Sequence, residues 1–464
     1  MIRIDQELTA RAFASNLKQL FERATHSTEA IRRRWNPSDG TPVFTSGGKY
    51  TSRGWTEWTQ GFVYGNAIYL YDATDNRELL EYGRTMTVAS MAAHVSHTGV
   101  HDHGFNNVST YGNLLRLASE GRFDASSFER DFYRIALKSS GAVQASRWTA
   151  LPGGLGYISS FNGAHSLFAD TIRSLRVLAL AHSLGQPLMG EQDQKISLLG
   201  RLLAHAETTA RYNVYFGAGR DAYDLRGRVA HESIFNTANG AYRCPSTQQG
   251  YSPFSTWTRG LAWILCGFTE ELEYVEQLRD EEIRELNLDF FPDKGSVLSR
   301  FGEVAQATAD FYIEHSPTDG IPYWDTGAPG LALMGNYLDR PADPFNAHEP
   351  VDSSAAAIAA QGLLRLGAHL RRAGEVESAS RYTQAGLTIC RTLFAPPYLS
   401  TDDSHEGILL HTVYHRPNGW DHLRPGQKVP NGESSMWGDY HALELGVYLN
   451  RLAMNDPYLA FFSV

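Results

Sequence analysis

TWTRGLAWILCGFTEEL, residues 256–272, decides how the rest of the chain reads. Its apolar residues occupy most of a helical circumference and its Gly and Ala keep it slim, so it suits a helix buried on nearly all sides. Two further segments share the pattern, ADTIRSLRVLALAHSLG at 169–185 and DSSAAAIAAQGLLRLG at 352–367. Between such segments lie helices with a clear polar face, such as ASSFERDFYRIALKSS at 125–140. Working outward, apolar periodicity predicts twelve helices, near 5–24, 57–73, 76–96, 104–119, 125–141, 168–185, 189–211, 257–275, 296–315, 352–371, 376–393 and 433–452. Alternation of inner and outer character points to an all-α fold, an (α/α)6 barrel in which a double ring of helices closes on itself. An open solenoid would carry a recognisable sequence repeat, and none is visible. No convincing strand is predicted, and the β-like pieces fall in loops at 213–253 and 395–415. No long low-complexity linker divides the chain, so one domain over 1–464 is expected.

Composition narrows the partners. Hydrophobic residues make up 42% of the 464 residues and charged residues 20%, which describes a packed globular protein. A formal charge of −10 without clustered Lys and Arg argues against nucleic acid. The 22 Phe, 23 Tyr and 9 Trp suit sugar binding without proving it. Cys244, Cys266 and Cys390 are widely spaced and form no CxxC pair, so they read as small hydrophobes rather than a disulfide or zinc framework. No apolar run is long enough to span a bilayer, and the charged amino terminus lacks a signal-peptide core, so a cytoplasmic location is expected.

In an alternating barrel all inner helices point the same way, so residues opening the even helices should meet at one mouth. Those residues are Trp58, Asp102, Asp170, Arg259, Asp352 and Asp439. Asp102 and Asp170 each precede a helix and would serve as N-caps, the commoner role for any one such Asp. Two at equivalent places favour chemistry, since paired carboxylates can divide proton donation and charge stabilisation between them. The helix dipole lowers both pKa values, so a donor here needs desolvation or a second negative charge. His94, His97, His101 and His103 beside Asp102 offer a metal-site alternative, but Gly99 interrupts the face and no HExxH signature supports it. Arg259, between Trp257 and Trp263, would either stack and pair within the core or grip a substrate carboxylate bidentately. Trp58, Phe62 and Trp263 read equally well as core or as sugar platforms. Nucleotide, nicotinamide and GxSxG esterase motifs are absent from the sequence.

Several motifs in order resemble those of the unsaturated glucuronyl hydrolases, glycoside hydrolase family 88. They are WTQGF (58–62), HDHGF (101–105), ADTIRSLRVLALA (169–181), TQQGYSPFSTWTRGLAW (247–263), DGIPYWD (319–325), DSSAAAIAA (352–360), GILLHTVYHRP (407–417) and WGDYHALE (437–444). The resemblance implies an (α/α)6-barrel glycosidase acting on oligosaccharides left by polysaccharide lyases. It would remove the 4,5-unsaturated uronic acid at the non-reducing end by hydrating the C4=C5 vinyl ether, without metal or organic cofactor. By motif, Asp170 resembles the general acid and base, and Asp102 the second essential carboxylate. His231 and Gln249 match positions that assist at the reacting end of the ring, and Trp58, Phe62, Arg259 and Trp263 positions that surround the sugar. The expected partner is a small acidic oligosaccharide, with no nucleic acid or membrane, and the protein is a monomer or homodimer.

Four positions depart from the usual motifs. Gln248 stands where many relatives carry His, Leu261 replaces a Gln, Val63 a Trp, and His103 an apolar residue. The expectation is a changed lining with the reaction retained. Two alternatives stay open: a glycosidase of the same fold acting on saturated glucuronides, and an inactive carbohydrate-binding barrel.

Overall fold

The computed structural model describes residues 1–54 and 57–464. Among the described residues twelve main helical segments follow one another, with single-turn helices at Ala92–Val95 and Asp280–Arg284 besides: α1 Ala14–Arg34, α2 Gln60–Thr74, α3 Arg77–Ser90, α4 over 103–119, α5 Ser127–Ser146, α6 over 171–183, α7 Leu198–Tyr212, α8 Thr258–Gln277, α9 Lys294–His315, α10 Ser353–Arg372, α11 Val376–Leu393 and α12 Met436–Met454. The even helices pack in sequence, α2 on α4, α4 on α6, α6 on α8, α8 on α10 and α10 on α12, and α12 returns to α2. That return closes the inner ring, and odd helices such as α1, α5, α9 and α11 cover it from outside. The (α/α)6 barrel expected from the alternation of helix character is therefore the fold. Its basis is visible in burial: α8 is buried continuously from Thr258 to Val275, whereas α5 buries only one stripe that includes Tyr133, Ala136, Leu137 and Ser140.

Three readings of the sequence are corrected. The first helix begins at Ala14 rather than near residue 5, since a 3-10 turn at Ala10–Phe13 precedes it, and its buried face runs on to Ile31. The seventh begins at Leu198, where the Ser197 side chain accepts from the Gly200 N–H at 3.0 Å, because Leu188–Met189 and Lys195–Ile196 form a tight antiparallel pair ahead of it. Strands, though short, are present. Pro42–Ser46 pairs with Lys49–Ser52, Trp148–Ala150 with Gly156–Ile158, and Glu232–Phe235 lies between Ser166–Phe168 and Tyr242–Ser246.

Inner helices approach very closely where they open. A Cβ added to Gly104 would lie 2.0 Å from the carbonyl oxygen of Ser174, so α4 and α6 touch backbone to backbone beside the first turns that follow Asp102 and Asp170. Gly104→Ala is expected to destabilise the fold by about 3 kcal/mol, since no side chain is there to yield, and urea denaturation measures it. A loss below about 0.5 kcal/mol would mean that the two helices can part freely.

Deeper in the barrel, Arg173 of α6 bonds Glu270 of α8 at 2.9 and 3.1 Å and Glu444 of α12 at 2.7 Å. The Arg173 guanidinium lies 5.8 Å from the Trp263 ring centroid, so this buried ion network supports the tryptophan from beneath.

Candidate active site

A cavity of about 520 Å3 opens where the inner helices begin. Trp58 ahead of α2, Asp102 ahead of α4, Asp170 ahead of α6, and Arg259 and Trp263 in the first two turns of α8 all line it. Four of the six residues expected at one mouth therefore meet there, and two do not. Asp352 caps α10, accepting from the Ser354 N–H at 3.1 Å. Asp439 is consumed by the N–H groups of Ile408 and Leu409, the Ser434 hydroxyl and the Tyr50 hydroxyl, at 2.6 to 2.9 Å. Those are structural carboxylates.

Asp102 and Asp170 differ from them in the way that separates capping from chemistry. Each precedes its helix, yet neither makes a side-chain cap hydrogen bond. Between them stands the His101 imidazole, its Nε2 3.7 Å from Oδ1 of Asp102 and 3.7 Å from Oδ1 of Asp170. Both His101 ring nitrogens and Asp170 Oδ1 are buried without a hydrogen-bond partner among the described residues. Buried polar groups are nearly always satisfied, so unspent ones aimed at a common cavity mark a place for a substrate.

Charge in this triad is unevenly shared. Burial lifts the Asp102 carboxyl above its ordinary range, with Asp170 adding like-charge repulsion against the opposing pull of His101. Burial also lifts Asp170, but His101 and then His231 more than offset it, and the net direction is downward. For His101 burial favours the neutral ring, and the two carboxylates outweigh it and raise its pKa. Proton affinity is thus raised at Asp102 and His101 and lowered at Asp170.

His231 lies just behind the lining, 2% exposed. Its Nδ1 accepts from the Gln248 N–H at 3.0 Å and the Gln249 N–H at 3.4 Å, which places its proton on Nε2 and positions the loop carrying both glutamines. Burial depresses its pKa to about 4 against the pull of Asp170, so the ring is neutral. Gln249 lines the cavity and accepts from Arg259 Nη2 at 3.0 Å.

Arg259 is already spent. Nη1 donates to Asp352 at 2.7 Å and to the Val413 carbonyl at 2.6 Å, and Nη2 to Gln249 and the Tyr414 carbonyl at 3.0 Å each. With its plane between Trp257 and Trp437, at 4.7 and 5.0 Å from their centroids, it has only the Nε–H left. A bidentate grip on a substrate carboxylate is incompatible with these bonds, and the residue instead fixes the cavity wall. Phe62 is likewise corrected: it is fully buried, edge-on to Trp58 at 5.6 Å, and does not reach the cavity. Trp58 does, stacked on Trp437 at 5.2 Å.

The 94–103 histidines do not converge on a metal. His94 Nε2 meets the Gln60 amide oxygen at 2.5 Å, and His103 bonds the Ser140 hydroxyl and the His97 carbonyl at 2.9 Å each. No group of three or more potential metal ligands occurs among the described residues. Of the four departures in the motifs, only Gln248 lines the cavity; Val63, Leu261 and His103 are buried in the surrounding packing. The lining is less altered than the motifs suggested.

No family model matches the chain. An unsaturated glucuronyl hydrolase of Bacillus sp. strain GL1 aligns over 449 residues at 26% identity, covering 94% of each chain. The chain is similar to the unsaturated glucuronyl hydrolases. Another of that name, from Formosa agariphila, is 22% identical over 84% of this chain and 78% of its own, and an unsaturated chondroitin disaccharide hydrolase of Streptococcus agalactiae is 22% identical over 84% and 80%. The crystal structure of the Bacillus unsaturated glucuronyl hydrolase superimposes with a TM-score of 0.70 at 23% identity, covering 94% of this chain and 97% of that one. The family resemblance read from the order of the motifs is borne out, as is the barrel.

Other lining residues escaped the sequence reading. His101 lies inside the HDHGF motif, where the sequence offered it only as part of a metal-site alternative. Arg53, Glu57, Phe161, Tyr414 and Trp420 come from loops, where no periodicity marks them. One signal was available: Gly47 and Gly48 between Pro42–Ser46 and Lys49–Ser52 both adopt positive φ, 59° and 77°, the signature of a two-residue hairpin turn that leads the chain to Arg53.

Proposed function

We propose that the protein is a glycoside hydrolase that removes a 4,5-unsaturated uronic acid from the non-reducing end of lyase-generated acidic oligosaccharides, the whole chain acting as one catalytic unit. The observation that carries this reading is the pair of uncapped carboxylates joined by His101 at the mouth of a barrel similar to unsaturated glucuronyl hydrolases. A 4,5-unsaturated uronate is an enol ether, and adding water to it requires a proton at C4 and a water oxygen at C5. Asp170 delivers the proton, charge develops at C5 and the ring oxygen, water adds to C5, and the proton it releases returns to Asp170. The C5 hemiketal then opens to a ketone. The hemiacetal left at C1 expels the leaving sugar and becomes an aldehyde. One proton-cycling carboxylate suffices, unlike the paired acid and nucleophile or base of ordinary glycosidases.

Asp170 starts with its pKa held down, and the substrate corrects this. The uronate brings its own carboxylate into a buried site already holding two, and added negative charge raises the proton affinity of both aspartates. Asp102, resting with the higher proton affinity, hydrogen-bonds sugar hydroxyls and keeps net charge low. That resting order also favours a second reading, in which Asp102 is the donor and Asp170 the carboxylate that stabilises the charge. Product analysis by nuclear magnetic resonance tests the reaction class: a 4-deoxy keto-aldehyde is expected from an unsaturated disaccharide. Release of intact glucuronate from saturated aryl glucuronides, with unsaturated sugars untouched, would overturn the proposal.

A further inference from the structure

Two arginines line the cavity, and they are in opposite states. Arg259 has four of its five N–H groups bonded within the protein. Arg53 makes no hydrogen bond and no ion pair with any described residue, its charge acting only at longer range on Glu57 of the same cavity, and the residue is exposed. It is nevertheless held in place, its guanidinium 4.1 Å from the Trp420 ring centroid and 5.0 Å from that of Tyr414. A cation resting on aromatic faces keeps its N–H edge free, and that planar fork matches the oxygens of a carboxylate or a sulfate.

Its position says which part of a substrate it meets. His101 stands 3.7 Å from each reacting carboxylate, whereas the carboxylate of the cavity on which Arg53 acts is Glu57, which forms no ion pair with it. Arg53, Tyr414 and Trp420 also line a second cavity of about 540 Å3, on the side of the hairpin 42–52. Polar groups there are largely committed: the Ser46 hydroxyl to His422, the Thr51 hydroxyl to the Phe44 carbonyl, and Asp421 to the N–H groups of Tyr414 and His415. The unspent cation thus stands at the shared wall between the reacting cavity and its neighbour, where the leaving part of an oligosaccharide would pass.

We propose that Arg53 is a specificity-determining residue that reads an anionic group, a sulfate ester or a carboxylate, on the leaving sugar, with Trp420 as the platform that holds it. The inference rests on the reading of the site as an unsaturated uronyl hydrolase and adds the charge of the leaving group to it.

The test compares three unsaturated disaccharides whose leaving sugars are an unsulfated hexosamine, a monosulfated hexosamine and a uronate. Each is assayed with the wild-type, Arg53→Lys and Arg53→Gln proteins. In Arg53→Gln the ratio of kcat/KM for an anionic leaving sugar over the unsulfated one falls about tenfold, as expected for a lost charge-assisted contact, with Arg53→Lys between. A fall confined to the sulfated sugar identifies sulfate as the group read, and one confined to the leaving uronate identifies carboxylate. A ratio held within twofold for both, including uniform loss on all three sugars, overturns the proposal. Calorimetric binding of the same sugars to Asp170→Asn proteins with and without Arg53→Gln gives the ranking without turnover. Binding of the sugars with no hydration would fail the proposed reaction while still judging Arg53, and absence of both binding and turnover would fail the two together.

Discussion

Asp170→Asn protein is expected to lose hydration of unsaturated disaccharides by about 100- to 10,000-fold, the span of general acid and base catalysis, while keeping its melting temperature. An amide preserves the shape of a side chain that makes no cap hydrogen bond and is only 13% exposed, but it cannot cycle a proton. Asp102→Asn separates the two assignments of the donor. If Asp170 moves the proton, Asp102→Asn weakens binding and slows turnover but keeps the acidic and basic limbs of the pH profile. If Asp102 is the donor, that variant loses the basic limb and Asp170→Asn retains measurable turnover. Steady-state rates between pH 4 and 9 decide the matter.

Arg259→Ala is expected to cost the fold about 3–5 kcal/mol, measured by urea denaturation. Removing the guanidinium leaves Asp352, fully buried, without its partner at 2.7 Å and strips the Val413 and Tyr414 carbonyls of their donor. Gln249 also loses the group that orients it, so activity falls with stability. The control is Arg259→Met combined with Asp352→Asn, which removes both charges together and should recover part of the stability. A variant of wild-type stability with only a raised KM would mean that Arg259 grips substrate after all.

The contrast between these residues marks where sequence reasoning reached and where it stopped. Periodicity exposed the alternation between α5 and α8, and with it the barrel and the common mouth, because burial on one side or all sides is written into side-chain type. Asp102 and Asp170 stood out by their place at helix starts. Periodicity carries no information about which polar partners a residue will find in three dimensions. Arg259 was recognised as part of the site with two readings open, and its bonds to Asp352, Gln249 and residues 413–414 realise stacking and pairing within the core and exclude the grip on a substrate carboxylate. Asp352 and Asp439 share the helix-start pattern with Asp102 and Asp170, and only their neighbours, the 408–413 segment and Arg259, make them structural. Phe62 takes the core reading of the two left open: in the first turn of α2, it packs edge-on to the Trp58 ring and against Tyr440. Arg53, Tyr414 and Trp420 meet only because the hairpin 42–52 and the 414–423 loop fold over the same mouth, an encounter between segments 361 or more residues apart in sequence.

The most direct test of the central claim follows the ultraviolet absorbance of the enol ether in a panel of unsaturated disaccharides mixed with wild-type protein, beside saturated aryl glucuronides. Loss of that absorbance is expected on at least one disaccharide and abolished in Asp170→Asn, with no cleavage of the aryl glucuronides. Persistent absorbance across the whole panel with cleavage of a saturated glucuronide would contradict it.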